Sequence, residues 1–410
     1  MSAPDSLKMT PSERRASAAL AGLFACRMLG LFLLLPVFAV AAQSLQGGHD
    51  PARVGLALGM YGLTQAVMQI PFGLASDRWG RRPVVLFGLM LFVAGSVLCA
   101  LSDELFWVTI GRGVQGAGAI SAAVTAWLAD ATRPEVRTRA MAMIGAAIGL
   151  SFAASLVLAP LLVGWGGLAG LFWTIACLGV ICIAVAGRFV PTVPRDQPAM
   201  PTRPRAVLAN RDLLRLNAGV FCLHLIQIAL FVVMPGLLVR LGDLPPAELW
   251  KVYLPVVLLS FVAMLPLVFV TEKRRAHHHA LRAAVATLVI VCLLFVPAST
   301  SFLGLALVLT VFFVAFNVLE ALQPSLVSRV APPDLKGLAL GFYNTAQALG
   351  LFAGGAMGGW LAARVGTHAV FLGSAALAAL WLAVTWALRP LPTVTKSSRP
   401  HFAHASAYRR

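Results

Sequence analysis

Apolar residues run along this chain in blocks of about 20, separated by short polar turns, from residue 16 to residue 388. Each block is long enough to cross a bilayer core of roughly 30 Å as a helix. A helix satisfies its own backbone hydrogen bonds in lipid, whereas a membrane barrel would show short alternating segments, which this sequence lacks. The pattern predicts twelve spans at 16–42, 53–76, 82–101, 105–128, 138–162, 168–190, 213–239, 251–271, 281–299, 302–327, 337–362 and 368–388. The longest connection, 191–212, is rich in Pro and Arg. It divides the chain into a short N-terminal segment (1–15), a six-helix bundle (16–190), a linker, a second six-helix bundle (213–388) and a basic tail (389–410) with too few apolar residues to fold alone.

Composition agrees with a membrane protein: 59% of residues are hydrophobic and 11% charged, against about 25% charged in soluble domains. The net charge of +17 invites a nucleic-acid partner, but its distribution argues against one. Of 32 Lys and Arg residues, 26 fall at the termini and in the even-numbered loops, and only Arg53, Arg240, Lys251 and Arg364 on the other side. That asymmetry predicts cytoplasmic termini and makes attraction to anionic lipid a secondary consequence. The first span reads as a retained helix and not a cleaved signal. Arg27 interrupts it, and Thr10-Pro11-Ser12-Glu13 forms a capping box with Pro at the first helical position. All six cysteines fall inside spans without metal-ligand spacing and read as packing residues. The run His277-His278-His279 reads as a solvated loop, so no metal and no cofactor are expected. No phosphate-binding G-x-x-x-x-G-K-[ST] is present, which leaves the proton gradient as the energy source.

One turn stands apart from the others. Gly73-x-x-x-Asp77-Arg78-x-Gly80-Arg81-Arg82 is wedged between spans 2 and 3, and a fainter version, Val268-x-x-x-Glu272-Lys273-Arg274-Arg275, follows span 8. Arg139-Ala-Met-Ala-Met and Lys336-Gly-Leu-Ala-Leu form a second such pair, at the starts of spans 5 and 11. Together they suggest two copies of a six-helix unit, as in many transporters.

Four ionisable residues remain inside the spans: Arg27, Arg112, His224 and Glu320, on spans 1, 4, 7 and 10. At 1.5 Å per residue, Arg27 lies about 17 Å deep and Arg112 and Glu320 about 12–14 Å from the nearer edge. An ionised group there costs several kcal/mol unless it faces water or a partner, so a shared polar cavity is expected. Structural alternatives stand beside this reading: Arg112 bonding carbonyls of a broken helix, Arg27 as a structural arginine, and His224 as a neutral core imidazole. Glu320 is the carboxylate least easily explained that way. Burial favours its neutral form and a nearby arginine its anion, which suits a group that takes and releases a proton. On span 2, Tyr61, Gln65 and Gln69 share one helix face, and Tyr343 and Gln347 repeat the spacing on span 11 with Asn344 beside them. Gln115, Thr125, Gln227 and Asn317 lie on the spans carrying the charges. These polar residues either line a substrate cavity or bond helix to helix.

The residues now quoted carry a resemblance. Over about residues 10–390 the chain resembles the major facilitator superfamily, through the turn at 73–82 and through Arg112-x-x-Gln115-Gly116-x-Gly118-Ala119 on span 4. With the sequences around Arg27, Ile70-Pro71-Phe72-Gly73 and Phe316–Leu322, it is most similar to the YajR-type drug:proton antiporter branch. Span 5 departs from the antiporter motif: Ser155-x-x-x-Ala159-Pro160-x-x-Val163-Gly164 keeps the Pro and one Gly only. The resemblance implies an all-α membrane protein of twelve transmembrane helices in two pseudo-symmetric six-helix bundles. It also implies a latch in which Asp77 sits near the N-terminus of span 11 and Arg81 or Arg82 bridges to Asp130. The expected function is proton-coupled efflux of a small lipophilic or amphipathic substrate across the bacterial inner membrane, by a monomer that is not an enzyme. Two other readings stand: a facilitator or symporter of a polar or anionic metabolite, and a non-transporting membrane sensor.

Overall fold

The computed structural model of the protein describes residues 9–190, 204–332 and 335–388. Residues 1–8, most of the linker (191–203), Pro333, Asp334 and the basic tail lie outside the described residues. Among the described residues the chain is helical and forms no strand: α1 (Pro11–Phe32), α2 (Phe38–Ala41), α3 (Pro51–Trp79), α4 (Arg81–Ala100), α5 (Leu105–Ala117), α6 (Ser121–Asp130), α7 (Pro134–Arg188), α8 (Pro204–Leu208), α9 (Arg211–Gly242), α10 (Trp250–Arg274), α11 (His277–Ala298), α12 (Phe302–Val330), α13 (Lys336–Arg364) and α14 (Thr367–Trp386). Eight helical segments among the described residues are long and apolar enough to cross a bilayer.

Local chemistry places the helix ends. The capping box at α1 forms in full, with the Thr10 hydroxyl accepting from Glu13 N and the Glu13 carboxylate from Thr10 N. Asp50 and Asn210 cap α3 and α9 in the same manner. A single residue, Gly80, separates α3 from α4. Its φ of 94° and ψ of 156° are open only to glycine, which explains why the charged turn carries a glycine there. The predicted fourth span is two helices, α5 and α6, because the chain leaves helical geometry at Gly118.

The predicted fifth and sixth spans run together in α7, which breaks at Gly166–Gly167. Contacts with α1 give their directions. Ser151 donates to Ala25 O and Arg133 bonds Glu13, so the first part of α7 runs parallel to α1. Cys182 meets Leu23 and Ile175 lies beside Gly30, so the second part runs back. With that reversal, and with α3, α13 and the α5–α6 pair as further crossings, the helices make twelve passes.

The pairing of helices repeats. In the first half α1 packs on α7, α3 on α5, and α4 on α5 and α7; in the second, α9 packs on α13, α10 on α12, and α11 on α12 and α14. The halves meet where α3 crosses α13 and where α7 meets α10. These crossings lie toward one end. A Cβ on Gly55 would come within 2.2 Å of Gly355 O, one on Gly59 within 2.7 Å of Phe352 O and one on Gly62 within 2.5 Å of Ala348 O. Gly164 of α7 packs on Ala247, before α10, and the Tyr253 hydroxyl donates to Pro36 O at 3.4 Å. All of these belong to the end away from the start of α1 and the end of α14, here termed the far side; the opposite end is the terminal side. Nearer the terminal side, Gly337 and Gly341 of α13 have no atom within 4 Å of their Cβ positions.

Candidate functional site

The four ionisable residues form two pairs, one in each half, and not the single constellation expected. Arg27 donates to Ser121 Oγ at 3.1 Å and to Gly118 O at 3.3 Å, spanning the break between α5 and α6. Arg112 donates to Gln115 Oε1 at 2.8 Å and to Leu58 O at 3.5 Å, and Gln115 in turn donates to Ser96 Oγ. Both guanidinium groups lie against the Tyr61 ring, at 5.8 and 4.8 Å from its centroid, a cation–π arrangement that supplies part of the missing counter-charge. Each arginine is 1% exposed. The role imagined for Arg112, bonding carbonyls at a helix break, belongs to Arg27. Among the described residues neither arginine bonds Glu320.

The second pair is His224 and Glu320, with Nε2 to Oε1 at 3.5 Å. His224 Nδ1 lies 3.0 Å from Val220 O, a geometry in which Nδ1–H donates and Nε2 keeps a lone pair. That lone pair accepts from Gln347 Nε2 at 2.6 Å. The Glu320 side chain is 31% exposed, yet Oε1 is buried and has no hydrogen-bond donor among the described residues. Tyr343 Oη and both amide atoms of Gln323, also buried, share that condition. Such atoms are where buried water, a proton or a ligand group is to be expected.

Aromatic rings close the space beside this pair. Phe152 of α7 lies 5.2 Å from Phe32 of α1, 5.9 Å from Phe313 and 5.8 Å from Phe316 of α12, joining the two halves. Glu320 is one turn beyond Phe316 toward the terminal side. The partial exposure of Glu320 therefore lies on that side of the aromatic contact, while the far side is shut by the α3–α13 and Tyr253–Pro36 contacts.

The remaining polar residues divide. Asn317 donates to Ser260 Oγ at 3.1 Å, joining α12 to α10, and Thr125 donates to its own helix at Ser121 O and Ala122 O. Gln65, Gln69 and Gln227 are buried, and Asn344 is half-buried. Gln69, with both amide atoms unpartnered among the described residues, is the strongest lining candidate on α3. Sequence reasoning missed Ser96, Ser121, Ser260, Gln323 and the aromatic contact. Gln323 was findable, since it lies at i+3 from Glu320 on the same helix.

The charged turn is also in place. Arg81 donates to Asp77 Oδ1 at 2.6 Å, to Asp130 Oδ2 at 2.8 Å and to Ser76 Oγ at 2.8 Å, so Arg81 and not Arg82 makes the bridge to span 4. Gly73 meets Ala122 at ordinary contact distance, and Arg78 is exposed. The fainter turn keeps the geometry and exchanges the polarity. Glu272 bonds His277 Nε2 at 2.8 Å and Arg329 at 2.8 Å, and these two partners, His277 first, hold its carboxyl below the ordinary range. His277 thus corrects the expectation of a solvated loop: it is buried, hydrogen-bonded to Glu272 and the first residue of α11.

The profile of the Major Facilitator Superfamily matches residues 20–355 and 317–407. The chain belongs to that superfamily. Within it, the chain is 44% identical over 393 residues to the inner membrane transport protein YajR of Escherichia coli K12, covering 95% of this chain and 86% of that protein. It is 26% identical over 345 residues to the multidrug resistance protein MdtH of Proteus mirabilis, covering 82% and 84%. Among solved structures, a bacterial homologue of the human lysosomal transporter Spinster, in an inward-facing and occupied conformation, superposes with a TM-score of 0.72 at 15% identity, over 93% of this chain and 97% of that one. The superfamily membership and the twelve-pass architecture agree: the protein is a membrane transporter and not an enzyme.

Proposed function

We propose that the protein is a proton-coupled exporter of small amphipathic molecules in the bacterial inner membrane, with its terminal side in the cytoplasm, and that Glu320 is where proton and substrate compete. The observation that carries this is the His224–Glu320 pair, held in the second half just to the terminal side of the aromatic contact that joins the halves. An anionic carboxylate with a buried, unpartnered oxygen is costly. A proton relieves that cost, and so does a cationic or donor group on a substrate. One carboxylate cannot be served by both at once, and mutual exclusion at a shared group is the minimum requirement for exchange. His224, with its Nδ1–H on Val220 O and its Nε2 lone pair on Gln347, meets Oε1 without offering it a donor, which leaves the proton or the substrate to do so. The arrangement fits a state open to the cytoplasm, in which Glu320 releases its proton and meets substrate. Rocking of one half against the other then closes the terminal side and opens the far side.

Similarity to YajR supports the inner membrane, and the more distant similarity to the multidrug resistance protein MdtH supports export. The two arginines, which would have suited an anionic substrate, are enclosed and bonded to the protein, so the symporter reading loses its main support. A non-transporting sensor is at odds with membership of a transporter family. The test is efflux of a lipophilic cationic dye from cells with and without a protonophore. Wild type should lose efflux when the gradient collapses, and Glu320→Gln should show no gradient-driven efflux at all. Reconstituted in vesicles, wild type should release protons when substrate is added. If Glu320→Gln exports at the wild-type rate, or if protons enter with substrate, the assignment is wrong.

A further inference from the structure

On the outer face of the first half, α1 and the returning part of α7 leave an apolar groove of about 260 Å³ between them. Its walls are Ala18, Ala19, Gly22 and Cys26 on one side and Ile181 and Val185 on the other. Nothing lies within 4 Å of a Cβ built on Gly22, so the groove is open space and not a packing seam. It runs toward the terminal side, and its mouth is basic. Arg14 and Arg15 precede Ala18 and Ala19 by one helical turn, and Arg188 follows Val185 by one turn on the facing helix. Measured from the Leu23–Cys182 contact, Arg15 lies about 12 Å and Arg188 about 9 Å toward the terminal side at 1.5 Å per residue, so the two are nearly level. The Arg82 guanidinium adds a fourth cation beside Gly187.

Among the described residues no acid neutralises this cluster. Arg14, Arg15 and Arg188 are exposed, and none of the four arginines has an ion-pair partner among the described residues. The nearby acids are already engaged: Glu13 with Arg133, and Asp77 and Asp130 with Arg81. An apolar channel with its open wall facing lipid, capped by uncompensated positive charge at the membrane boundary, matches one kind of molecule in both parts.

We propose that this groove binds one anionic phospholipid, an acyl chain lying along Gly22 and the phosphate resting on Arg14, Arg15 and Arg188. The chain contributes apolar burial, and the headgroup contributes selectivity for negative charge. The site is separate from the His224–Glu320 pair and stands whether or not that pair couples protons.

Native mass spectrometry of the full chain, released from detergent containing phosphatidylglycerol, tests it. One phosphatidylglycerol should be retained, and phosphatidylcholine with the same chains should not. Each arginine near an anionic headgroup is worth roughly a fivefold change in affinity, so Arg15→Gln with Arg188→Gln should lower retention by about 25-fold. Gly22→Leu starts from a Cβ position with nothing within 4 Å, fills the groove against its apolar walls, and should abolish retention while leaving the melting temperature unchanged or higher. Glycerol phosphate, which has the headgroup chemistry without chains, should not compete. The proposal is overturned if Gly22→Leu retains phosphatidylglycerol as wild type does, if phosphatidylcholine is held equally, or if glycerol phosphate displaces the lipid.

Discussion

The carboxylate of Glu13 accepts from Thr10 N, from Arg133 N and from the Arg133 guanidinium. It therefore caps α1 and ties that helix to the loop before α7. The Arg133 bond, ahead of the Thr10 contacts, holds the carboxyl down at about 2. A depressed carboxyl contributes stability that is present above the ordinary carboxylate range and is lost as pH falls through its folded value. Glu13→Gln should destabilise by about 1–3 kcal/mol at neutral pH, the range for a cap combined with a charged hydrogen bond. Thermal melts in detergent from pH 7 down to pH 2 should show the wild-type advantage intact to about pH 4.5 and gone near pH 2. A difference independent of pH would show that the ion pair contributes nothing. The capping box was legible from four residues of sequence, whereas Arg133 was not, because no local pattern reports a partner more than a hundred residues away. Glu320 was legible because a lone acid in an apolar run has few structural explanations. Arg27 and Arg112 stood out equally, but apart from Gln115 their partners are the Ser121 hydroxyl and the carbonyls of Gly118 and Leu58, which sequence does not mark.

At the scale of helices, the crossing of α3 and α13 is the tightest approach between the halves. The relation is reciprocal: a Cβ on Gly355 would stand 2.2 Å from Gly55 O, as one on Gly55 would from Gly355 O. A methyl group there must push the helices apart by roughly 1 Å or more, at the 1–3 kcal/mol cost of overpacking. That cost falls on the state seen here, with the far side closed, and is relieved when the helices part. Gly355→Ala should therefore move the population toward the far-side-open state by about 5- to 150-fold. A cysteine at Val37, which is fully buried here, in a background without the native cysteines, should label faster with an impermeant thiol reagent applied from the far side. Unchanged labelling would mean that the crossing is a fixed pivot. Sequence showed α3 and α13 as helices through their apolar length. It did not show that their glycines face each other, since register between distant helices is set by shape. The break at Gly118 was hidden for a related reason: glycines inside an apolar run are as common in unbroken transmembrane helices.

For the whole molecule, the repeat in helix pairing makes two similar halves, and each carries its charged turn at the terminal side. In the present state each turn is satisfied within its own half, Arg81 between Asp77 and Asp130, and Glu272 between His277 and Arg329. If Asp77 also faces the positive N-terminal end of α13 when the halves close there, its charge stabilises the far-side-open state more than the present one. Asp77→Asn then removes stability unequally and traps the protein open to the terminal side. Transport should stop, with membrane insertion unchanged, and labelling at the Val37 cysteine should fall below wild type. Gly355→Ala acts on the same two-state equilibrium from the opposite direction, and effects at distant sites on one equilibrium add. The double variant should therefore recover both labelling and a measurable share of transport, which neither a folding defect nor a lost substrate contact at Asp77 would permit. Vesicles in which Asp77→Asn alone transports at the wild-type rate would dispose of the latch. A double variant no better than Asp77→Asn would place the defect in some step other than the exchange of the two states.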